Sequence, residues 1–264
     1  MTSRMTLAFR VRGTLEDPHL APLWEAGCTG MLEDGGEVVA FFSEPPPGEL
    51  LTRFPPGGRW ERVDDTDWVA RYHETLAPVV VGRLVVAPTH REVTLRAPQR
   101  ALWLDPGMAF GTGHHETTYL ALAALERLEL RGRRVLDVGA GSGILAIAAD
   151  LLGAAEAEGL DIDPDTVGVA EANAALNASR ARFSAGELSA RTRPAHVIVA
   201  NLYAELHAEL APLYARLLKP GGYLLATGIL ASRGAVAQGA LERVFGSVEV
   251  EARGEWLLLR ARAP

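Results

Sequence analysis

The chain has 264 residues, enough for a substantial core and for one large domain with a smaller companion. Acids outnumber bases by 33 to 26, a formal net charge of -7, which argues against a broad cationic face tracking nucleic acid and favours a small molecule or a lysine-bearing protein as partner. Cys28 is the only cysteine, which excludes an intrachain disulfide and a cysteine-cluster metal site, and no leader-like or bilayer-length apolar run occurs, so a soluble, cytoplasmic chain is expected.

Residues 6–12 alternate apolar and polar as a strand does, residues 18–26 carry helical spacing, and residues 37–42 return to the strand pattern. Glycines at 13, 27, 30, 35 and 36 punctuate this small α/β unit, and Pro45-Pro46-Pro47-Gly48 and Pro55-Pro56-Gly57-Gly58 mark its later edge. A boundary is therefore placed near residue 60, giving a first domain over 1–60. Asp64-Asp65-Thr66-Asp67-Trp68 reads as the acidic start of a helix within a connector over 61–95. Short strands are predicted at 84–87 and 92–95, and a glycine-rich loop then enters a helix near Thr117. Strands at 134–138, 157–161, 181–184, 195–200, 223–227 and 256–260 alternate with helical stretches through a main domain over 96–264. That order predicts a mostly parallel sheet covered on both faces, with a ligand outside the C-terminal strand ends.

The turn after the first of those main strands reads Asp137-Val-Gly139-Ala-Gly141-Ser-Gly143-Ile144. Its three glycines can turn tightly and let backbone N–H groups approach a ligand that side chains would obstruct. A dinucleotide fingerprint needs a further glycine where Ile144 stands, which disfavours a nicotinamide-dependent oxidoreductase. The Asp-x-Gly-x-Gly-x-Gly form resembles instead the first motif of Rossmann-like methyltransferases that bind S-adenosylmethionine. About 20 positions on, Asp161 stands at a strand end, where a carboxylate can accept hydrogen bonds from ribose hydroxyls. Asp163, before Pro164, reads as a helix cap.

Two further segments carry polar groups toward the same strand ends. Residues 105–118 form a binding loop in which Gly107, Gly111 and Gly113 permit curvature, Phe110 offers an aromatic cover, and Thr112 and Thr118 can hydrogen-bond. His114, His115 and Glu116 suggest a metal at first sight, but adjacent side chains need not face one centre and no distal third ligand accompanies them, so no metal is expected. A histidine here can organise the loop or accept a proton, and Glu116 can position an amine or simply cap the helix. Asn201 leaves the buried strand 195–200, and its amide can bond a cofactor carboxylate or a substrate amine, or hold the loop. Tyr203 and Glu205 follow it, as a packing partner and an attractor for a cationic lysine, or as ordinary loop residues.

The order of Asp105-Pro-Gly-Met-Ala-Phe110-Gly-Thr-Gly-His-His-Glu-Thr-Thr118, the glycine turn, Asp161-Ile-Asp163-Pro and Asn201-Leu-Tyr-Ala-Glu closely resembles the ribosomal protein L11 methyltransferase family over nearly the whole chain. The resemblance implies a class I Rossmann-like α/β S-adenosylmethionine methyltransferase domain preceded by a small α/β substrate-recognition domain. It implies Thr118, Gly139, Asp161 and Asn201 as cofactor-binding residues, to which the turn geometry adds Gly141, with Asn201 and Phe110 at the catalytic centre. The implied substrate is ribosomal protein L11, methylated repeatedly on lysine side chains and its N-terminal amine, without a nucleic-acid substrate or a membrane and by a monomer. Ala140 and His114 depart from residues common in the family, and neither blocks backbone contacts with a cofactor. Leu202-Tyr203 replaces the paired prolines of an Asn-Pro-Pro-Tyr motif, which weakens a base-methylating reading. Another protein or a small-molecule amine as acceptor, and a nonenzymatic S-adenosylmethionine-binding, ribosome-interacting protein, remain the alternatives.

Overall fold

The computed structural model describes residues 5–14, 17–20, 22–23, 26–42, 45–46, 48–52, 54–64, 77–89, 91–104 and 115–264. Its backbone divides into two compact units, Met1–Thr75 and Leu76–Pro264. The expected boundary at residue 60 falls inside a strand of the first unit, and the later part of the expected connector belongs to the second. The acid-led helix expected after Asp64 lies outside the described residues.

The first unit is a four-stranded antiparallel sheet of β1 (Met5–Arg12), β2 (Cys28–Asp34), β3 (Glu37–Phe42) and β4 (Arg59–Asp64), in the order β2-β3-β1-β4. Gly35 and Gly36, with φ of 61° and 83°, supply the two left-handed residues of a tight β2–β3 hairpin. Phe9, Val11, Val38, Ala40 and Phe42 form the buried face with Leu20 and Leu23. The helical spacing at 18–26 appears as a 3-10 turn at Pro18–Leu20 with a further helical step at 22–23. Strands β2 and β4 escaped the sequence reading because glycines and charges interrupt their alternation.

The second unit begins with a three-stranded sheet of β5 (Val79–Val81), β6 (Leu84–Pro88) and β7 (Arg100–Leu104). The strand expected at 92–95 does not form. Leu95 is 43% exposed, and β6 is paired on one edge by β5 and on the other by β7, whose Leu102 and Leu104 bury their side chains. After α1 (Glu116–Glu126), the main sheet comprises β8 (Arg134–Val138), β9 (Glu156–Asp161), β10 (Arg182–Ala185), β11 (Ala195–Asn201), β12 (Leu218–Leu230), β13 (Val248–Arg253) and β14 (Trp256–Arg262). Their order is β10-β9-β8-β11-β12-β14-β13, parallel from β10 to β12 and antiparallel through the last hairpin. Helices α2 (Ile144–Leu151), α3 (Pro164–Leu176), α4 (Ala204–Leu217) and α5 (Gly234–Phe245) cross between strands.

Period-two alternation in the central strands divides the core between the faces. Val135, Val197, Val199 and Leu225 pack with Leu120, Leu125 and Ile147 of α1 and α2. Leu136, Ile198, Leu224 and Ala226 pack with Tyr214 and Leu241 of α4 and α5. The chain leaves β8 outward to β9 and β10, then returns to lay β11 on its other side. This reversal opens a crevice beyond the C-terminal ends of β8 and β11.

Candidate active site

The glycine turn starts where β8 ends. Gly139, Gly141 and Gly143 have φ of 74°, 50° and 79°, in the left-handed region that side chains disfavour. The N–H groups of Gly139 and Ala140 donate to Leu160 O at 2.8 and 3.2 Å, which docks the turn on the end of β9. Asp161 then ties the turn to the next loop, accepting from Gly141 N at 2.8 Å through Oδ2 and from Asp163 N at 3.0 Å through Oδ1. Each carboxylate oxygen has more than one lone pair, so the same group retains acceptor capacity toward a ligand. Asp163 caps α3, accepting from Asp165 N at 2.9 Å with Pro164 in the first turn.

The three glycines have different tasks. Gly139 and Gly141 line the crevice, while Gly143 serves as the N-cap of α2, and a Cβ there would stand 2.7 Å from Phe183 and 2.9 Å from Ala170. The third glycine thus permits close packing and does not face a ligand. Asn173, buried on α3, donates to Ser142 O at 2.9 Å and secures the turn from behind. Asp137 is also fully buried. Its Oδ2 accepts from Ala146 N at 3.2 Å and its Oδ1 has no hydrogen-bond partner among the described residues. Burial pushes its carboxyl up to about 7, with the Ala146 amide pulling the other way and the charge of Asp161 adding to the rise.

On the opposite side stand α1 and the end of β11. His115 is the N-cap of α1, its Nδ1 2.7 Å from Thr117 Oγ1, and its ring meets Trp256 edge-on at 4.8 Å. Asn201 Nδ2 donates to the same Thr117 hydroxyl at 3.1 Å. Thr118 lines the crevice, and its fully buried Oγ1 has no hydrogen-bond partner among the described residues. Glu116 lies over the β13–β14 turn, where a Cβ on Gly254 would come within 2.6 Å of its carboxylate. Tyr203, 60% exposed, stands at the rim. Glu205 is paired with Arg233, whose Nε donates at 2.7 Å and holds that carboxyl below its ordinary range, so its charge is already engaged. Phe110, Thr112, His114 and the loop glycines 107, 111 and 113 lie outside the described residues.

Thr118, Gly139, Gly141, Asp161 and Asn201 therefore line one crevice of about 690 Å³. Asp163, Glu187 and Glu209 join Asp161 in its wall, and no lysine, arginine or histidine does so among the described residues. A wall of that sign attracts cations and repels phosphates. Among the described residues no group of three or more His, Cys, Asp or Glu side chains is placed to hold a metal ion.

A family model described as Ribosomal protein L11 methyltransferase (PrmA) matches residues 50–264. The chain belongs to this family. A ribosomal protein L11 methyltransferase of Thermus thermophilus is 48% identical over 257 residues, covering 95% of this chain and 97% of its own length. One from Deinococcus radiodurans is 46% identical, covering 93% and 94%. A crystal structure of a Lactobacillus delbrueckii subsp. bulgaricus ribosomal protein L11 methylase superposes with a TM-score of 0.65 at 31% identity, over 72% of this chain and 100% of that one. The family member described here is thus an S-adenosylmethionine-dependent methyltransferase with a Rossmann-like fold. The crevice suits that cofactor. It pairs a carboxylate wall with a cationic ligand, and it holds an orphaned, buried threonine hydroxyl and a turn of bare backbone where a ligand needs close approach.

Two residues that support this site carry little signal in the sequence. Thr117 was read only as the start of a helix, yet it anchors Asn201. Gly228, with φ of 84°, belongs to no motif, yet a Cβ there would fall 2.6 Å from Leu202 O and 2.7 Å from Asn201 Oδ1. An isolated glycine inside a long strand was the available signal.

Proposed function

We propose that this methyltransferase modifies amines of ribosomal protein L11, at lysine side chains and the N-terminal amine, in repeated rounds. The observation that carries the reading is a cleft whose charged wall residues, among those described, are all acidic, in a chain so similar to L11 methyltransferases. That wall suits both a cationic cofactor and an approaching lysine, and it opposes the phosphates of a dinucleotide or a nucleic acid. When bound, S-adenosylmethionine supplies a methyl group activated by its sulfonium charge.

Binding falls to Asp161, Gly139, Gly141 and Thr118, by carboxylate, backbone and hydroxyl contacts. Asn201 serves both cofactor and acceptor. One N–H of its Nδ2 holds the Thr117 hydroxyl, and its carbonyl oxygen is the group that can accept from an amine N–H. Phe110 completes the catalytic pair as the aromatic cover implied by the family resemblance. An ammonium nitrogen has no lone pair, so the acceptor amine must lose a proton before each transfer, and the acidic rim draws the cation in before that proton departs. Orientation then accounts for most of the acceleration. We assign the first unit, Met1–Thr75, to substrate recognition and the second, Leu76–Pro264, to catalysis, in place of the bounds expected at residues 60 and 95, and we infer a cytoplasmic monomer without a nucleic-acid substrate. Among the described residues no helix is long and apolar enough to cross a membrane.

Incubation of the purified protein with labelled S-adenosylmethionine and unmethylated L11, followed by peptide mass spectrometry, tests the reading. Label on L11 lysines and its N-terminal amine is the expected result. Cofactor binding without transfer to intact L11 would reject the substrate and favour another acceptor or a binding role.

A further inference from the structure

His207 on α4 is buried and does not itself line the crevice, yet the partners of its imidazole lead directly to Asn201. Its Nε2 lies 2.8 Å from Thr227 O, and a carbonyl can only accept, so the ring proton resides on Nε2. Its Nδ1 is then an acceptor, and it faces the hydroxyl of the fully buried Tyr214 at 3.3 Å. The same Thr227 carbonyl accepts from Leu202 N at 2.9 Å, and Thr227 pairs with Asn201 across the β11–β12 ladder. One carbonyl therefore receives the first peptide N–H after Asn201 and the His207 ring together. On the next residue of β12, bare Gly228 admits Leu202 and the Asn201 side chain at distances a Cβ would forbid.

We propose that His207 is a positioning residue: through the Thr227 carbonyl it fixes the Asn201–Leu202 turn and so the aim of the Asn201 carboxamide into the cleft. This inference rests on the assignment of Asn201 to the active site. The ring acts as a neutral donor. Burial drives its basicity down to about 4, against the opposite pull of the Thr227 and Leu202 carbonyls, so it stays uncharged and takes no proton from the acceptor amine at neutral pH. Tyr214 donates to Nδ1 of the tautomer that the Thr227 carbonyl fixes, and so holds the ring in place from its other side.

The test compares His207→Leu, His207→Gln, Tyr214→Phe and Asn201→Ala in the full chain, measuring cofactor affinity by calorimetry and kcat and KM on L11 separately. His207→Leu is expected to lower kcat about 30-fold, the scale of a small misplacement of a reacting group, with cofactor Kd within about threefold of wild type. His207→Gln, which restores a donor of similar reach, is expected to recover kcat to within about fivefold. Tyr214→Phe keeps the volume and loses only the hydroxyl that holds the ring, for a fall of about three- to tenfold, and it decides the matter should His207→Leu fail to fold. The double variant His207→Leu with Asn201→Ala should be no slower than Asn201→Ala alone. Wild-type kcat in folded His207→Leu or in Tyr214→Phe, or a loss that adds to that of Asn201→Ala, overturns the inference. Wild-type turnover in Asn201→Ala overturns the assignment of Asn201 itself and the inference with it, whereas an inactive Asn201→Ala beside an active His207→Leu removes only the role of His207.

Discussion

On the β8–β9 side of the cleft the wall is a bare glycine turn tied down by the Leu160 carbonyl and one carboxylate, whereas on the β11–β12 side it is one carboxamide and the peptide after it, supported by side chains from two helices. Asp161 gathers the first side by accepting from Gly141 and Asp163, and the glycines there keep the backbone bare. Thr117, His207 and Tyr214 gather the second. A backbone-built wall holds a ligand common to every reaction the fold performs, because amides carry no side-chain identity. A side-chain-built wall can be retuned by single substitutions, which is where acceptor preference is best placed.

That contrast is broken most directly by a pair of truncations. Asp161→Ala removes the acceptor that ties the turn and leaves two amides to find water, so cofactor Kd should weaken about 100-fold, as expected for loss of charge-assisted hydrogen bonds. Its kcat at saturating cofactor should stay within about fivefold. Asn201→Ala should do the reverse, with kcat down about 100-fold and Kd changed about threefold. If calorimetry and saturation kinetics show both variants losing affinity and turnover in equal proportion, the two sides do not divide the work.

Gly228→Ala probes the second side from its backbone. A Cβ there meets Leu202 O and Asn201 Oδ1 and sits at φ of 84°, so the exit turn must shift. We expect a fall in kcat of about tenfold or more with cofactor Kd near wild type. Gly143→Ala is the matching probe of the first side. Its Cβ would press on Phe183 and Ala170 and not into the cleft, so the variant should lose about 1–3 kcal/mol of stability to denaturant while kcat stays near wild type. A Gly143→Ala protein of normal stability and poor cofactor affinity would place the third glycine at the ligand after all.

The two sides also differed in how far they were legible. Glycine spacing and an acid about 20 residues later are local in sequence, so the turn, Asp161, the cap at Asp163 and the parallel sheet were readable from periodicity. Asn201 was readable because it ends a buried apolar run. Its supports were not, since Thr117 lies 84 residues before it and the Thr227 carbonyl carries no side-chain identity at all. His207 reads in sequence as a polar residue on an amphipathic helix, and only the ladder that sets Thr227 beside Asn201 gives it meaning. Likewise the alternation at 92–95 looks like a strand, but strand formation needs a neighbour, and β6 is paired on that edge by Arg100–Leu104.

Each side also contains one buried titrating group, and the two act on stability with opposite sign. The Asp137 carboxyl rises from 3.8 to about 7 on folding, so between those values the folded chain holds a proton the unfolded chain has lost, and stability falls as pH rises through that window. His207 drops from 6.5 to about 4, so the unfolded chain gains a proton the folded chain refuses, and stability falls as pH drops through 6.5 toward 4. Where the windows overlap the two slopes oppose each other, each bounded by about 1.4 kcal/mol per pH unit. Asp137→Asn removes the first slope and leaves the second uncompensated, so its melting temperature should drop more steeply than that of wild type between pH 6.5 and 4.5. His207→Gln should shift the profile the other way, with relative stability gained toward acid. The remaining carboxylates contribute the same background to all three proteins, so the difference between profiles isolates the two groups. Parallel melting profiles for wild type and Asp137→Asn would show that the buried carboxyl does not hold its proton, and the glycine turn would then carry a further negative charge behind that of Asp161.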